Sequence, residues 1–273
     1  VHCAEGEEKK ITRDGKAYNR ISDHIGVLPL VMVSPGDSAL VSEGSEARRR
    51  FINAVLSQMD HEYLSDVQRY TRHLAGRNAI LKSGKADESV LETLDWHLDA
   101  LAGRIHARRV AFAAQLEPVV AAFYEQLSRG SEKVGISYRS DLSEAPLLDI
   151  LRRSADKDGM MGFTTCGVQR DDFIFTMNGD PIRKVGSQGQ QKSFLVSLKF
   201  AQYELMKDSY GFPPALLLDD LFDKLDLKRT GNLLKMVASD EFGQIFISDT
   251  DSSRLQGIIG GITQETTYYE AKG

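Results

Sequence analysis

Cysteine is scarce in this sequence: Cys3 and Cys166 are the only two among 273 residues, and they stand far apart. Neither a zinc cluster nor a disulfide framework can be built from them, so a reducing cytoplasm is the expected compartment. Long apolar runs are missing too. The longest, "IGVLPLVMV" at 25–33 and "ALLL" at 215–218, fall far short of the roughly 20 residues that cross a bilayer. The first residues, "VHCAEGEEKKITRDGKAYNRI", have neither the basic start nor the apolar centre of a secretory signal, and they begin at Val. They read as the middle of a longer polypeptide. Positive charge is not in excess: 34 Lys and Arg stand against 39 Asp and Glu, for a formal charge of -5. That excludes a chain wrapped in nucleic acid over its whole surface but leaves local basic patches open. His61, His73, His97 and His106 lack carboxylate or cysteine partners at metal-ligand spacing and read as surface or packing histidines.

The length suits one large or two smaller cores. Asp14-Gly15 between alternating residues predicts a β-hairpin near the start. From Ser45 to about Gln126 the pattern becomes helical. Leu64, Val67, Leu74 and Leu81 fall at three-and-four spacing, "KSGKA" breaks the run, and Leu91, Leu94, Leu98, Leu101, Ile105, Phe112 and Leu116 resume it. This predicts an antiparallel helical hairpin or arm, with Pro118 expected to kink or end its second helix. Arg48, Arg49, Arg50, Arg69, Arg72, Arg77 and Lys82 outnumber Glu46, Asp60, Glu62 and Asp66 in its first half. Such an excess serves either phosphate contacts with a nucleic-acid backbone or a solvated face with internal ion pairs.

After "ISYRSDL", read as a strand, and "APLLDILRRSADKD", read as a helix, "DDFIFTMNGDP" alternates like an edge strand and closes on an Asn-Gly turn. "SFLVSLKFAQYELMK" is helical, with an apolar face through Phe194, Leu195, Leu198, Ala201, Tyr203 and Leu205. Directly before it, "GSQGQQ" offers Ser187 as N-cap and a first turn of free amides, which either caps a helix or receives an anion such as phosphate. Then "PPALLLDDLFDKLD" runs a continuous apolar stretch into two acids. Such a run fits a central strand buried on both faces, with Asp219 and Asp220 at its carboxyl end, where open α/β sheets bind ligands. In phosphoryl chemistry Asp219 would hold magnesium and Asp220 would orient the attacking water; otherwise the pair is an acidic turn. "GQIFISDTD" could bring Ser248 and Asp249 to the same edge.

These segments, in this order, resemble the RecF family of the SMC-like group, bacterial proteins of recombination and replication repair. The resemblance rests on "SPGDSALVSEGSEARRRFIN", "YLSDVQRYTRHLAGRNAILK", "GVQRDD", "GSQGQQKS" and "LLLDDLFDKLD" and covers nearly the whole chain. It implies an α/β fold: an ABC-type ATPase head lobe with a parallel-containing sheet, plus an α-helical arm subdomain. Residues 1–44 would complete an N-terminal lobe, 45–130 form the arm, and 131–273 form the C-terminal lobe. By resemblance Ser187, Gln188, Gly189, Gln190 and Gln191 form the signature loop that reaches ATP held by an opposite subunit. Asp219 is the Walker B ligand of Mg, and Asp220 stands where many ABC proteins use glutamate. Asp223 to Asp226 form the D-loop, with Asp226 beside the nucleotide. Ser248 and Asp249 lie near the switch strand, where related heads often place histidine. "GVQRDD" departs from the family at Val168 and Gln169, where proline and histidine are usual.

The implied function is an ATP-sandwiched homodimer that closes on double-stranded and gapped DNA. RecR and RecO would be its partners, and RecA loading its purpose. No P-loop occurs, because Gly15-Lys16 and Gly84-Lys85 are each followed by Ala and lack the upstream glycine. These residues by themselves are therefore expected not to hydrolyse ATP. Two other readings are an SMC-like structural tether and a metal-dependent phosphohydrolase on Asp219 and Asp220. The arm is short for the first, at about 60 Å, and no histidine or further acidic cluster supports the second.

Overall fold

The computed structural model describes residues 11–84, 88–128, 132–220, 227–237, 242–249 and 266–269. Along the chain it forms β1 (Thr12–Arg13), β2 (Lys16–Ala17), β3 (Leu30–Val33), α1 (Ala39–Ser42), α2 (Ser45–Met59), α3 (His61–Ser83) and α4 (Glu88–Ser128). There follow β4 (Val134–Arg139), α5 (Leu147–Met161), β5 (Asp172–Met177), β6 (Asp180–Pro181), α6 (Ile182–Val185), α7 (Gln188–Tyr210), β7 (Ala215–Asp219), α8 (Leu227–Val237) and β8 (Ile245–Ser248).

The expected hairpin is β1 with β2, turning on Asp14 at φ 51° and Gly15 at φ 78°. The first half of the arm is two helices rather than one. Asp60 ends α2, and its Oδ1 accepts from the amides of Glu62 and Tyr63, so a short polar side chain restarts the helix as α3. Pro118 does not end α4, which runs on to Ser128. Leu116, Val120, Tyr124 and Leu127 are buried around it. That burial offsets the roughly 3 kcal/mol that an interior proline costs.

Two small sheets carry the rest. The antiparallel sheet has the order β4-β5-β6, so β5 is central where an edge strand was expected. The alternation of β5 reflects two unequal faces, not an open edge. Its Asn178-Gly179 turn, with both residues at positive φ, matches the twist of the flanking strands. In the other sheet β7 lies between β3 and β8, parallel to both. Leu216 and Leu218 are buried against α7 beside Val31 and Val33, but Leu217 on the opposite face is half-buried, beside exposed Met32 and Phe246. The strand is central as expected, yet only one of its faces is fully covered among the described residues.

Helix α7 separates two cores. Phe194, Leu195, Leu198 and Ala201 join the arm and the antiparallel sheet in one cluster that begins at Leu40. Val196, Phe200, Tyr203 and Met206 face the parallel sheet in the other. A helix enclosed on two sides shows little amphipathic contrast, and here even Ser193, Ser197, Lys199 and Gln202 are buried.

Candidate functional site

Strands β7 and β8 end side by side. Their register places Asp219 opposite Ser248. The Ser248 hydroxyl donates to Asp219 Oδ1 at 2.5 Å, and the Asp220 amide donates to the Ser248 carbonyl at 3.1 Å. Both acids are half-buried. Asp220 has φ 46°, in the left-handed region that Asp and Asn tolerate better than longer side chains. That backbone conformation is a physical reason for aspartate, rather than glutamate, at this position.

The N-terminus of α7 borders the same cleft, which measures about 190 Å³ and is lined by Ser34, Gln188, Gln191, Lys192, Asp219 and Asp220 among others. Ser187 caps the helix as expected. Its hydroxyl accepts from the Gln190 amide at 3.3 Å, while Gln190 Oε1 accepts from the Ser187 amide at 2.7 Å. Gln190 Nε2 reaches Glu132 Oε1 at 2.7 Å, and Gln191 Nε2 holds the Gly186 carbonyl at 2.7 Å. Gly189 lies in the first turn of α7. Lys192 Nζ lies 3.3 Å from the Asp220 carbonyl and ties the helix to the end of β7. The loop after β3 is fixed by Asp37, which accepts from the Ser34 amide at 2.8 Å and pairs with the mostly buried Lys199 at 2.7 Å. Asp249 directly follows β8, while Asp223 to Asp226 lie outside the described residues.

Oxygen donors, one carboxylate with a hydroxyl beside it, suit magnesium, which one or two carboxylates hold together with nucleotide phosphates. The described residues contain no group of three or more His, Cys, Asp or Glu that would replace those phosphates by protein ligands. One carboxylate with a neighbouring hydroxyl fits a magnesium ion that also takes phosphate oxygens.

The arginine run divides by burial. Arg48 and Arg77, expected on a DNA-facing surface, are 7% and 3% exposed and turned inward. Arg48 forks onto Asp172, with Nε to Oδ1 at 2.9 Å and Nη2 to Oδ2 at 3.1 Å. Arg77 binds Asp95 at 2.6 Å and the fully buried Asp158 at 2.7 Å, tying α3 to α4 and α5. Neither can meet a phosphate without giving up its hydrogen bonds to a buried carboxylate. Arg49 is half-buried, with Nη1 on the Asp171 carbonyl at 2.7 Å and on Ser45 Oγ at 2.6 Å. Arg50, paired with Glu46, is exposed, and so are Arg69 and Arg72.

Arg109 escaped the sequence reading. It is buried and reaches Asp171 at 2.6 Å, the Val168 carbonyl at 2.7 Å, the Tyr63 hydroxyl at 3.0 Å and Asn53 at 3.0 Å. Tyr138 also donates to Asp171. Burial pushes the phenols of Tyr63 and Tyr138 above the ordinary tyrosine value, which keeps them neutral donors. A signal was present: Arg109 falls between Ile105 and Phe112 on the stripe of α4 that otherwise carries apolar residues.

No protein-family model matches the chain. The DNA replication and repair protein RecF of Bacteroides thetaiotaomicron is 46% identical over 253 residues, which span 92% of this chain and 69% of that protein. The protein of the same name in Phocaeicola vulgatus is 44% identical over 269 residues, 97% of this chain and 72% of its own. Among solved structures, the recombination mediator protein RecF with ATP, described in the RecFOR pathway, matches with a TM-score of 0.80 at 28% identity. It covers 90% of this chain and 68% of that one.

Proposed function

The chain belongs to the RecF family of DNA replication and repair proteins, with the ABC-type ATPase head fold, and from that premise we propose that it acts as an ATP-dependent DNA-binding protein of recombinational repair. Two copies close on DNA with ATP between them, in support of RecA loading at gaps with RecR and RecO. The observation that carries this reading is the cleft bordered both by the first turn of α7 and by Asp219, which accepts a hydrogen bond from Ser248.

In this reading the amides and Ser187 hydroxyl at the start of α7 receive phosphate oxygens through their partial positive charge. Asp219 and Ser248 would hold Mg, which when bound neutralises phosphate charge. Asp220 orients the attacking water, and Asp226 and Asp249 flank the nucleotide. Arg49, Arg50, Arg69 and Arg72 contact the DNA backbone, so affinity falls as salt rises.

The test is light scattering of the full-length polypeptide, with and without ATP and magnesium, beside Ser187→Arg and Asp219→Asn variants. Association that needs nucleotide and is lost in Ser187→Arg is the expected result. Mixing the two variants decides how the cleft is shared: partial recovery of turnover means that Ser187 of one copy serves the Asp219 site of another. A monomer under every condition removes the ATP-sandwich reading.

A further inference from the structure

A second cavity, of about 230 Å³, opens between α2, α3 and α4, away from the cleft at β7. Its polar lining includes Glu46, Arg49, Asn53, Thr71, Arg109 and Gln169. The charges around it do not balance. Asp172 is taken by Arg48, Asp171 by Arg109, and Glu46 on the rim by Arg50. Arg49 is left with a carbonyl and a hydroxyl as partners, and no carboxylate pairs with it among the described residues. Its Nε and Nη2 hydrogens meet no acceptor among those residues, and Arg109 keeps one Nη2 hydrogen beyond its contact with Asn53.

The three unused N–H groups of Arg49 and the one left on Arg109 lie at a concave surface and can together receive a tetrahedral oxyanion. We propose that this cavity is a binding site for a phosphate group, with Arg49 as its principal ligand and Arg109 and the Asn53 amide behind it. Asn53 Oδ1 already accepts from Tyr63 at 2.6 Å and from Arg109, which turns the amide nitrogen to donor duty elsewhere. Burial first, and then the charge of Arg109, hold the Arg49 pKa below its ordinary value; a bound anion acts in the opposite sense. The site needs neither ATP nor a second copy, and so it stands apart from the dimer reading. The phosphate comes either from a DNA backbone or from a small phosphate compound.

Thermal unfolding in pyrophosphate against chloride at matched ionic strength tests it, because a ligand bound only by the folded state raises Tm as it saturates. The expected result is a saturable rise for the protein and for Arg152→Ala, an exposed arginine elsewhere. Arg49→Ala should weaken pyrophosphate binding about tenfold or more. Thr71→Glu, on the exposed side of the cavity, should abolish the rise by supplying a counterion from within, and it serves alone if Arg49→Ala does not fold. A short duplex that displaces pyrophosphate assigns the site to a DNA phosphate; simultaneous binding assigns it to a small phosphate compound. A rise equal in chloride, or one that survives both substitutions, overturns the proposal.

Discussion

Arg48 and Asp172 meet in a two-pronged ion pair, at 2.9 and 3.1 Å, across 124 positions of sequence. It locks the start of α2 to the start of β5, with both side chains almost fully enclosed. Removing one partner of such a pair leaves a buried charge and costs about 3–5 kcal/mol. Asp172→Asn should therefore lower the urea midpoint strongly while leaving the slope of unfolding unchanged.

Ser187 has a capping role and a proposed phosphate role, and two substitutions separate them. Ser187→Ala should cost about 1 kcal/mol of stability through loss of the cap. Ser187→Asp restores the cap but sets a negative charge before the phosphate. It should unfold like the parent protein by calorimetry and fail to associate with ATP.

Asp220 sits at φ 46°. Asn shares its tolerance of that conformation, so Asp220→Asn should change stability by no more than about 0.5 kcal/mol. Single-turnover measurement on the ATP-competent protein should show nucleotide bound and not cleaved. Cleavage at the parent rate would remove Asp220 from the water-orienting role.

Gly167 has φ 104°, and a Cβ there would lie 2.7 Å from the Tyr70 hydroxyl and 2.9 Å from Gln169 Oε1. The conformation and the lack of space both forbid a side chain, so Gly167→Ala should destabilise by more than about 1 kcal/mol. Chemical denaturation reads this directly.

His73 on α3 stacks on His97 of α4 at 4.9 Å between ring centroids. Burial first, then His97, Arg69 and Arg72, hold its pKa below the ordinary histidine value. The unfolded chain takes up this proton at about pH 6.5 while the folded chain resists it. The contribution is thus complete above that pH and is lost as pH falls below it. Unfolding midpoints across pH 5 to 8, an interval of roughly that width around the free histidine value, should show a shallower acid slope for His73→Gln.

Local chemistry was legible in the sequence. Ser187 before α7, the Asn178-Gly179 turn and the apolar run of β7 each announce themselves within a few residues, because caps, turns and buried strands are decided by their neighbours. Long-range pairing was not. Nothing near Arg48 or Arg77 separates them from Arg50; their burial is set by Asp172 and Asp158, on elements far along the chain. Arg109 was hidden the other way, as a charge on an apolar stripe whose partner Asp171 was visible only as part of a motif. The central place of β5 escaped for a related reason, since alternation reports unequal faces and says nothing of which edges are paired.

Helix α4 is continuous from Glu88 to Ser128, about 60 Å at the usual rise, and it packs on α3 and α5 along the arm and on α7 and α8 at the other end. A rigid rod held in this way is a lever. A tilt of about 5° imposed where it leans on α7 sweeps the far end through roughly 5 Å over that length. In the proposed ATP-dependent cycle, a small shift of α7 beside Asp219 would reach the far end of α4 as a displacement several times larger.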